Sequence, residues 1–147
     1  MRAAFALAVI FAVALLSARG AAAETGATAE SAEPLTYVTV VGAPGDGDQA
    51  LTAALTKQLA TRGLKPASAV QANVYEVQGT VRITEAAKSK ESVTIIWVVL
   101  SPDGDQLGIT RQTNEVRKGS LERNWGNAAV AAAAAASADI AKLIRHQ

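Results

Sequence analysis

The sequence predicts an α+β domain of two layers, in which two helices pack on one face of a small mixed sheet in the order β-α-β-β-β-α. Two observations lead to this prediction. Four segments are rich in β-branched and aromatic residues and are bounded by turn residues, which is typical of strands. Two further segments either place apolar residues at spacings of three and four or consist mainly of alanine, which favours helices.

The first 23 residues have the pattern of a removable export signal. Arg2 precedes an apolar stretch at residues 3–16, and three alanines at 21–23 provide a cleavage site for signal peptidase. The apolar stretch is shorter than the roughly 20 residues that span a bilayer, so a cleaved signal is favoured over an uncleaved anchor. We therefore expect a bacterial protein that is periplasmic or secreted after cleavage near Ala23.

The composition excludes several classes of protein. Cysteine is absent, which rules out a thiol enzyme, a disulfide scaffold, a cysteine-based metal site and an acyl-anchored lipoprotein. Loss of Arg2 and Arg19 with the signal changes the formal net charge from +1 to −1, whereas nucleic-acid binding needs a clearly basic surface. Residues 24–34 have no large apolar side chain and are predicted to be a disordered spacer, which leaves residues 35–147 as a single domain.

The first strand and the first helix are predicted before Gly63. A β-branched run at residues 37–41 ends in the glycine-rich segment 42–48. Asp48 is predicted to be the N-cap of a helix that begins near Gln49, because its side chain can accept hydrogen bonds from the exposed amides of the first turn. Leucine and alanine residues then recur on one helical face, and Gly63 ends the helix.

The middle of the chain predicts three antiparallel strands. Apolar and polar residues alternate at residues 73–84, which indicates a strand with one solvated face. A polar loop is expected at residues 85–91. Residues 93–100 are apolar at nearly every position, so this strand is predicted to be central or covered on both faces. The turn at residues 102–105 then leads to a more polar, edge-like strand at residues 106–116.

The last segment is predicted to open at Gly119 and Ser120, with Ser120 as a cap and an irregularity at Trp125 and Gly126. An alanine-rich helix is predicted to follow at residues 127–145. The alanine and valine run at residues 128–136 is too short to cross a bilayer. Trp97 and Trp125 are both predicted to lie in the core.

Several of these segments resemble small envelope domains of Gram-negative bacteria, namely the amino-terminal domain of the translocation protein TolB and the penicillin-binding-protein activator LpoB. The residues that carry the resemblance are Tyr75, residues 77–81, residues 93–100, the turn at 102–104, Leu107, Gly108, residues 138–140 and Leu143. The resemblance implies a non-enzymatic periplasmic adaptor that engages partner proteins. This sequence carries neither a following β-propeller nor a lipid-bearing cysteine, so no partner and no interaction residue is transferred to it.

No catalytic arrangement is predicted. His146 is the only histidine and the penultimate residue, where a chain end frays, so neither a triad nor a zinc site is expected. Asp103 and Asp105 lie in a predicted turn, and Glu76 and Glu115 lie on strand surfaces. These positions do not place two acids in one cleft, as glycoside hydrolysis would require. We therefore expect no metal and no cofactor.

Two surfaces are candidate binding sites. The first is a polar strand face, which is either the solvated side of the sheet or a docking face for a partner: Gln78, Thr80, Arg82, Arg111 and Thr113. The second is the loop formed by residues 42–48, whose candidate ligand-binding residues are Gly42, Gly45, Asp46, Gly47 and Asp48. Its amides suit an anion and its acids suit Ca²⁺, but the lysine of a phosphate loop and the closing glutamate of a calcium loop are missing. A capped strand-to-helix turn accounts for the same residues.

The sequence thus predicts an exported, non-catalytic envelope adaptor that binds a partner protein through its sheet face or an edge strand. The alternative is a periplasmic binding module for a small or polymeric anionic envelope ligand. The identity of the partner and the oligomeric state are not predicted.

Overall fold

The helices and strands are arranged around a mixed sheet. A computed structural model describes residues 32–147. Its elements are β1 (Leu35–Val41), α1 (Gly47–Ala60), β2 (Lys65–Pro66), β3 (Val74–Ala87), β4 (Lys90–Leu100), β5 (Gln106–Arg117) and α2 (Gly126–Arg145). The predicted signal peptide at residues 1–23, and residues 24–31 of the predicted spacer, lie outside the described residues.

The strand order in the sheet is β2-β1-β3-β4-β5. β1 pairs in parallel with β2 and β3, and α1 lies in the connection between β1 and β3 that a parallel pair requires. β3, β4 and β5 pair in antiparallel order, and β5 lies at an edge of the sheet. The predicted α+β class, the mixed sheet and the edge position of the last strand are confirmed.

Two details of the strands differ from the prediction. β2 was not predicted, because it has only two residues and one of them, Pro66, cannot donate a main-chain hydrogen bond. The predicted polar loop at residues 85–91 is wrong, since β3 continues to Ala87 and β4 begins at Lys90. Polar side chains do not prevent pairing there, because both faces of this hairpin tip are exposed to water.

The core lies between the sheet and the two helices. Alternate residues of β1, β3 and β4 point from one face of the sheet toward the helices, where they pack against leucines of α1 and alanines of α2. The most fully buried apolar side chains include Leu51, Leu55, Leu59, Leu64, Val77, Trp97, Val99, Ala133 and Ile140. Because alanine is small, α2 approaches the sheet and α1 closely, and larger residues such as Ile140 fill the remaining space.

Trp97 occupies the centre of this core and is fully buried, as predicted. It lies opposite Gly79 on β3, and a Cβ atom at position 79 would be 2.8 Å from Cε3 of the indole ring. The indole Nε1 has no hydrogen-bond partner among the described residues, so the ring stabilises the fold through packing. Gly79 therefore provides the space that the largest core side chain needs.

α2 packs as a core helix. Within the described residues, this helix has the length and hydropathy that crossing a membrane would need. One side of it is nevertheless buried in the core, as Ala129, Ala133 and Ile140 show. It begins at Gly126, with Trp125 at the N-cap position, so the prediction of Ser120 as its cap is wrong. The segment between Ser120 and α2 is instead held by contacts from the loop after β1.

Replacing Gly79 by alanine tests the contact with Trp97. We expect Gly79→Ala to lower the free energy of unfolding by about 1–3 kcal/mol, because the rigid indole ring must move to admit a methyl group. Urea unfolding followed by circular dichroism measures this change. Thr80→Val, on the opposite face of the same strand, is the control and is expected to change the stability by less than about 0.5 kcal/mol. Equal stability of Gly79→Ala and wild type would contradict this packing.

Candidate binding face of the sheet

The sheet has a second face, opposite the helices, that no other element of the described residues covers. We call it the open face. It is formed by alternate residues of β1, β3, β4 and β5, whose side chains point away from the core. Most of these residues are polar, and those of β3 and β5 are largely exposed, as expected for a sheet with one solvated side.

The middle of the open face is apolar. Ile96, Val98 and Leu100 of β4 are half-buried, and Ile109 of β5 lies opposite Val98 with 55% of its surface exposed. We call these four residues the apolar strip. β4 is central, which is the first of the two predicted alternatives, and only the face toward the helices is covered by described residues. Both helices pack on the other face, so the apolar strip is open to solvent.

A pocket of about 300 Å³ lies at one end of the apolar strip. We call it the arginine pocket, and its lining residues are Thr80, Arg82, Thr84, Thr94, Ile96 and Arg111. The strand register accounts for its composition. Arg82 of β3 is paired with Thr94 of β4, and Arg111 of β5 is paired with Ile96, two residues along β4. The two arginines therefore line one pocket from the strands that flank β4.

The two guanidinium groups of the pocket have no acidic partner among residues 32–147, where no carboxylate lies within 4.0 Å of either group. Acids on the same strands have other contacts. Glu76 accepts a hydrogen bond from Gln78 at 2.9 Å, and Glu115 is paired with Lys90 at 3.3 Å. The arginine pocket is therefore a cationic site with no counter-charge in the described part of the chain.

The structure brings together most of the predicted docking residues. All five lie on the open face, and Thr80, Arg82 and Arg111 line the arginine pocket. The Thr113 hydroxyl is 3.1 Å from that of Thr94, next to the pocket, whereas the contact between Gln78 and Glu76 lies outside it. The prediction did not include Ile96. This residue lies within a continuously apolar run, so the sequence does not indicate which face of the sheet its side chain occupies.

The loop at residues 42–48 has a structural role. Asp46 Oδ1 accepts a hydrogen bond from the Trp125 amide at 2.8 Å, and Asp48 Oδ1 accepts one from the Ala43 amide at 2.8 Å. α1 begins at Gly47, so the prediction of Asp48 as an N-cap near Gln49 is wrong. Both acids are used to hold main-chain amides.

The glycines of this loop permit close contact between two chain segments. Gly45 has a φ of +63°, and a Cβ atom there would overlap the main chain of Glu122 and Arg123. In addition, the Asp46 amide donates to the Arg123 carbonyl at 3.1 Å, and the Trp125 indole donates to the Pro44 carbonyl at 3.0 Å. The loop thus connects the start of α1 to the segment that precedes α2. Trp125 is buried at this connection, as predicted.

A second accessible feature is the outer edge of β1. β2 covers only Leu35 and Thr36, so the following residues of β1 have no neighbouring strand on that side. The Thr36 carbonyl accepts from Ala67 at this edge, and strand alternation therefore directs the main-chain groups of Val38 and Val40 toward it. A cavity of about 420 Å³ lies beside them, against the first turns of α1.

The titratable side chains of residues 32–147 include one pair with shifted pKa values and no metal-ligand cluster. No three His, Asp or Glu side chains cluster there as metal ligands would, and His146 is exposed at the end of α2. Lys118 donates a hydrogen bond to Glu85, and this contact together with its charge lowers the pKa of Glu85 and raises that of Lys118. This pair is exposed at the tip of the sheet, and neither residue lines the arginine pocket.

Comparison with known proteins identifies the fold but no family. No family model and no curated protein matches the sequence. The PelC dodecamer from Paraburkholderia phytofirmans is similar in structure, with a TM-score of 0.51 and 15% identity over 71% of this chain and 85% of that one. Lipoprotein GNA1162 from Neisseria meningitidis has a TM-score of 0.46 and 12% identity, over 74% of this chain and 97% of that one. Structural neighbours thus include bacterial lipoproteins, whereas the likeness to TolB and LpoB stays a prediction.

Replacing Asp46 tests the structural role of the loop. We expect Asp46→Ala to lower the free energy of unfolding by about 1–3 kcal/mol, because the Trp125 amide loses a charged acceptor. Thermal unfolding followed by tryptophan fluorescence measures the change. Asp103→Ala, in the exposed turn after β4, is the control and is expected to lie within about 0.5 kcal/mol of wild type. An Asp46→Ala variant as stable as this control would contradict the structural role.

Proposed function

We propose that this chain is an exported, non-catalytic adaptor of the bacterial cell envelope that binds a partner protein through the open face of its sheet. The apolar strip is the observation that carries the proposal. A sheet with one solvated side normally alternates apolar and polar residues, yet β4 is apolar on both sides over residues 95–100. A partner layer on the open face would remove Ile96, Val98, Leu100 and Ile109 from water.

The proposed location in the envelope is supported by the pattern of an export signal in residues 1–23. PelC from Paraburkholderia phytofirmans, which shares the fold, is a bacterial protein. PelC is a dodecamer in its solved structure, which provides one example of this fold in a protein assembly.

A binding role is supported over a catalytic one by the chemistry of the open face. The arginine pocket is lined by two arginines, three threonines and an isoleucine, none of which is a base near neutral pH. The open-face acids Glu76 and Glu115 do not line the pocket, and they contact Gln78 and Lys90. Such a surface can bind and orient a partner but has no group positioned to transfer a proton.

The alternative function, an anionic-ligand module built on residues 42–48, has less support. The amides of Ala43, Asp46 and Gly47 already donate hydrogen bonds within the protein. Asp46 and Asp48 also place two carboxylates in the loop, which disfavours an anion. The open edges of the sheet, β5 and the outer side of β1, remain places where a partner strand could add.

Site-specific photocrosslinking in the native host tests the proposed function. A photoreactive residue is placed at Ile109 on the open face, or at Val130 on the solvent side of α2. These two positions form a matched pair, because both carry exposed apolar side chains, 55% and 51% exposed. We expect one discrete crosslinked product at position 109 and none at position 130, since only the first would lie in the interface.

The mass of the crosslinked product distinguishes the possible partners. A product of twice the mature mass would identify a second copy of this chain as the partner. Equal crosslinking at positions 109 and 130, or none at position 109, would contradict docking on the open face. A third photoreactive position at Gln49, which is exposed beside the outer edge of β1, distinguishes the two surfaces: a product formed only there would move the interface to that edge.

A further inference from the structure

We infer that the arginine pocket receives an acidic side chain of the partner protein, and that the partner segment on the open face combines this carboxylate with aliphatic residues. The inference rests on the proposed function and states the chemistry of the partner.

The charge of the pocket is the first reason. Arg82 and Arg111 both line it, and no carboxylate of residues 32–147 lies within ion-pair distance of either. A guanidinium group presents its N–H donors in a planar fork that matches the two oxygens of a carboxylate. Two such groups at one pocket favour an anionic occupant.

The neutral lining is the second reason. Thr80, Thr84 and Thr94 present hydroxyl groups, which can donate to the same oxygens, while Ile96 provides an apolar wall. The pocket volume of about 300 Å³ leaves room for a side chain to enter between the arginines. The pocket therefore has donors for a carboxylate and an apolar surface for the methylene groups that carry it.

The position of Ile96 favours a protein segment over an anionic glycan. Ile96 belongs to both the arginine pocket and the apolar strip, so the cationic and apolar surfaces are continuous along β4. A polyanionic glycan would satisfy the arginines and leave the apolar strip exposed to water. A polypeptide can supply a charged and several aliphatic side chains from one segment.

Strand geometry gives the expected spacing of these partner residues. Thr94, Ile96, Val98 and Leu100 follow one another on the open face at alternate positions, which are about 6.6–6.8 Å apart in a strand. An extended partner segment has the same repeat on one of its faces. We therefore expect an aspartate or glutamate at position i, with aliphatic residues at i+2 and i+4 if the segment runs parallel to β4, or at i−2 and i−4 if it runs antiparallel.

Selection from a displayed library of random dodecapeptides tests this inference. The complete mature protein is the target, and the Arg82→Gln/Arg111→Gln double variant is used for counter-selection, because glutamine retains polarity without charge. We expect enriched peptides to contain an acidic residue and, on one side of it in the sequence, aliphatic residues at alternate positions. A selection that yields no arginine-dependent peptide overturns the inference.

Calorimetry on the best enriched peptide completes the test. We expect the double variant to bind at least tenfold more weakly than wild type, and an acid-to-amide version of the peptide to lose affinity by the same factor. Lys57→Gln/Lys142→Gln removes two charges from the helices and serves as the control, with an expected change of less than twofold. Unchanged unfolding midpoints of both double variants show that the fold is intact.

The outcomes separate this inference from the proposed function. A parallel selection without the counter-selection step keeps the two apart: if Ile109→Glu abolishes binding of its peptides but the arginine variant does not, the open face binds proteins and the inference fails. If neither substitution affects binding, both fail. If polygalacturonate or inorganic phosphate binds as tightly as the peptide and depends on the same arginines, the pocket recognises anions without a protein context, which also overturns the inference.

Discussion

The structure depends on one constraint, which is that both helices pack on the same face of the five-stranded sheet. On that face, the alanines of α2 allow close approach, and Gly79 leaves space for Trp97. The other face keeps its own side chains in contact with water. β4 is therefore the element that links stability and function, because its residues supply the core on one side and the apolar strip on the other.

The charged residues of the chain divide into those that hold the fold and those that remain available. Asp46 and Asp48 accept hydrogen bonds from main-chain amides and connect the loop after β1 to the segment before α2. Glu85 pairs with Lys118 at the tip of the sheet. Arg82 and Arg111 have no such partner in the described residues, which is why the arginine pocket, rather than the acidic loop, is the better candidate for recognition of a partner.

Local patterns were enough to predict the order of elements, the antiparallel strands and the edge position of β5, because side-chain alternation and turn residues reflect local backbone geometry. The pairing of β1 with β2 and the role of Asp46 were not predictable in this way, since each depends on a contact with a distant segment. The sequence of β4 showed that both of its faces are apolar, but not that only one is covered. The docking residues were predicted from the alternation of polar residues along the strands. That three of them line one pocket together with Ile96 follows only from the strand register, which the sequence does not give.

The most direct test of the open face as a docking surface is methyl NMR spectroscopy of the mature protein, labelled at isoleucine, leucine and valine methyl groups, in periplasmic extract of its native host. We expect the methyl signals of Ile96, Val98, Leu100 and Ile109 to shift or broaden. Those of Val130 on α2 and of buried Leu51 are expected to stay unchanged. Perturbation of Val130 with an unaffected apolar strip, or no perturbation of any of these signals, would contradict docking on the open face.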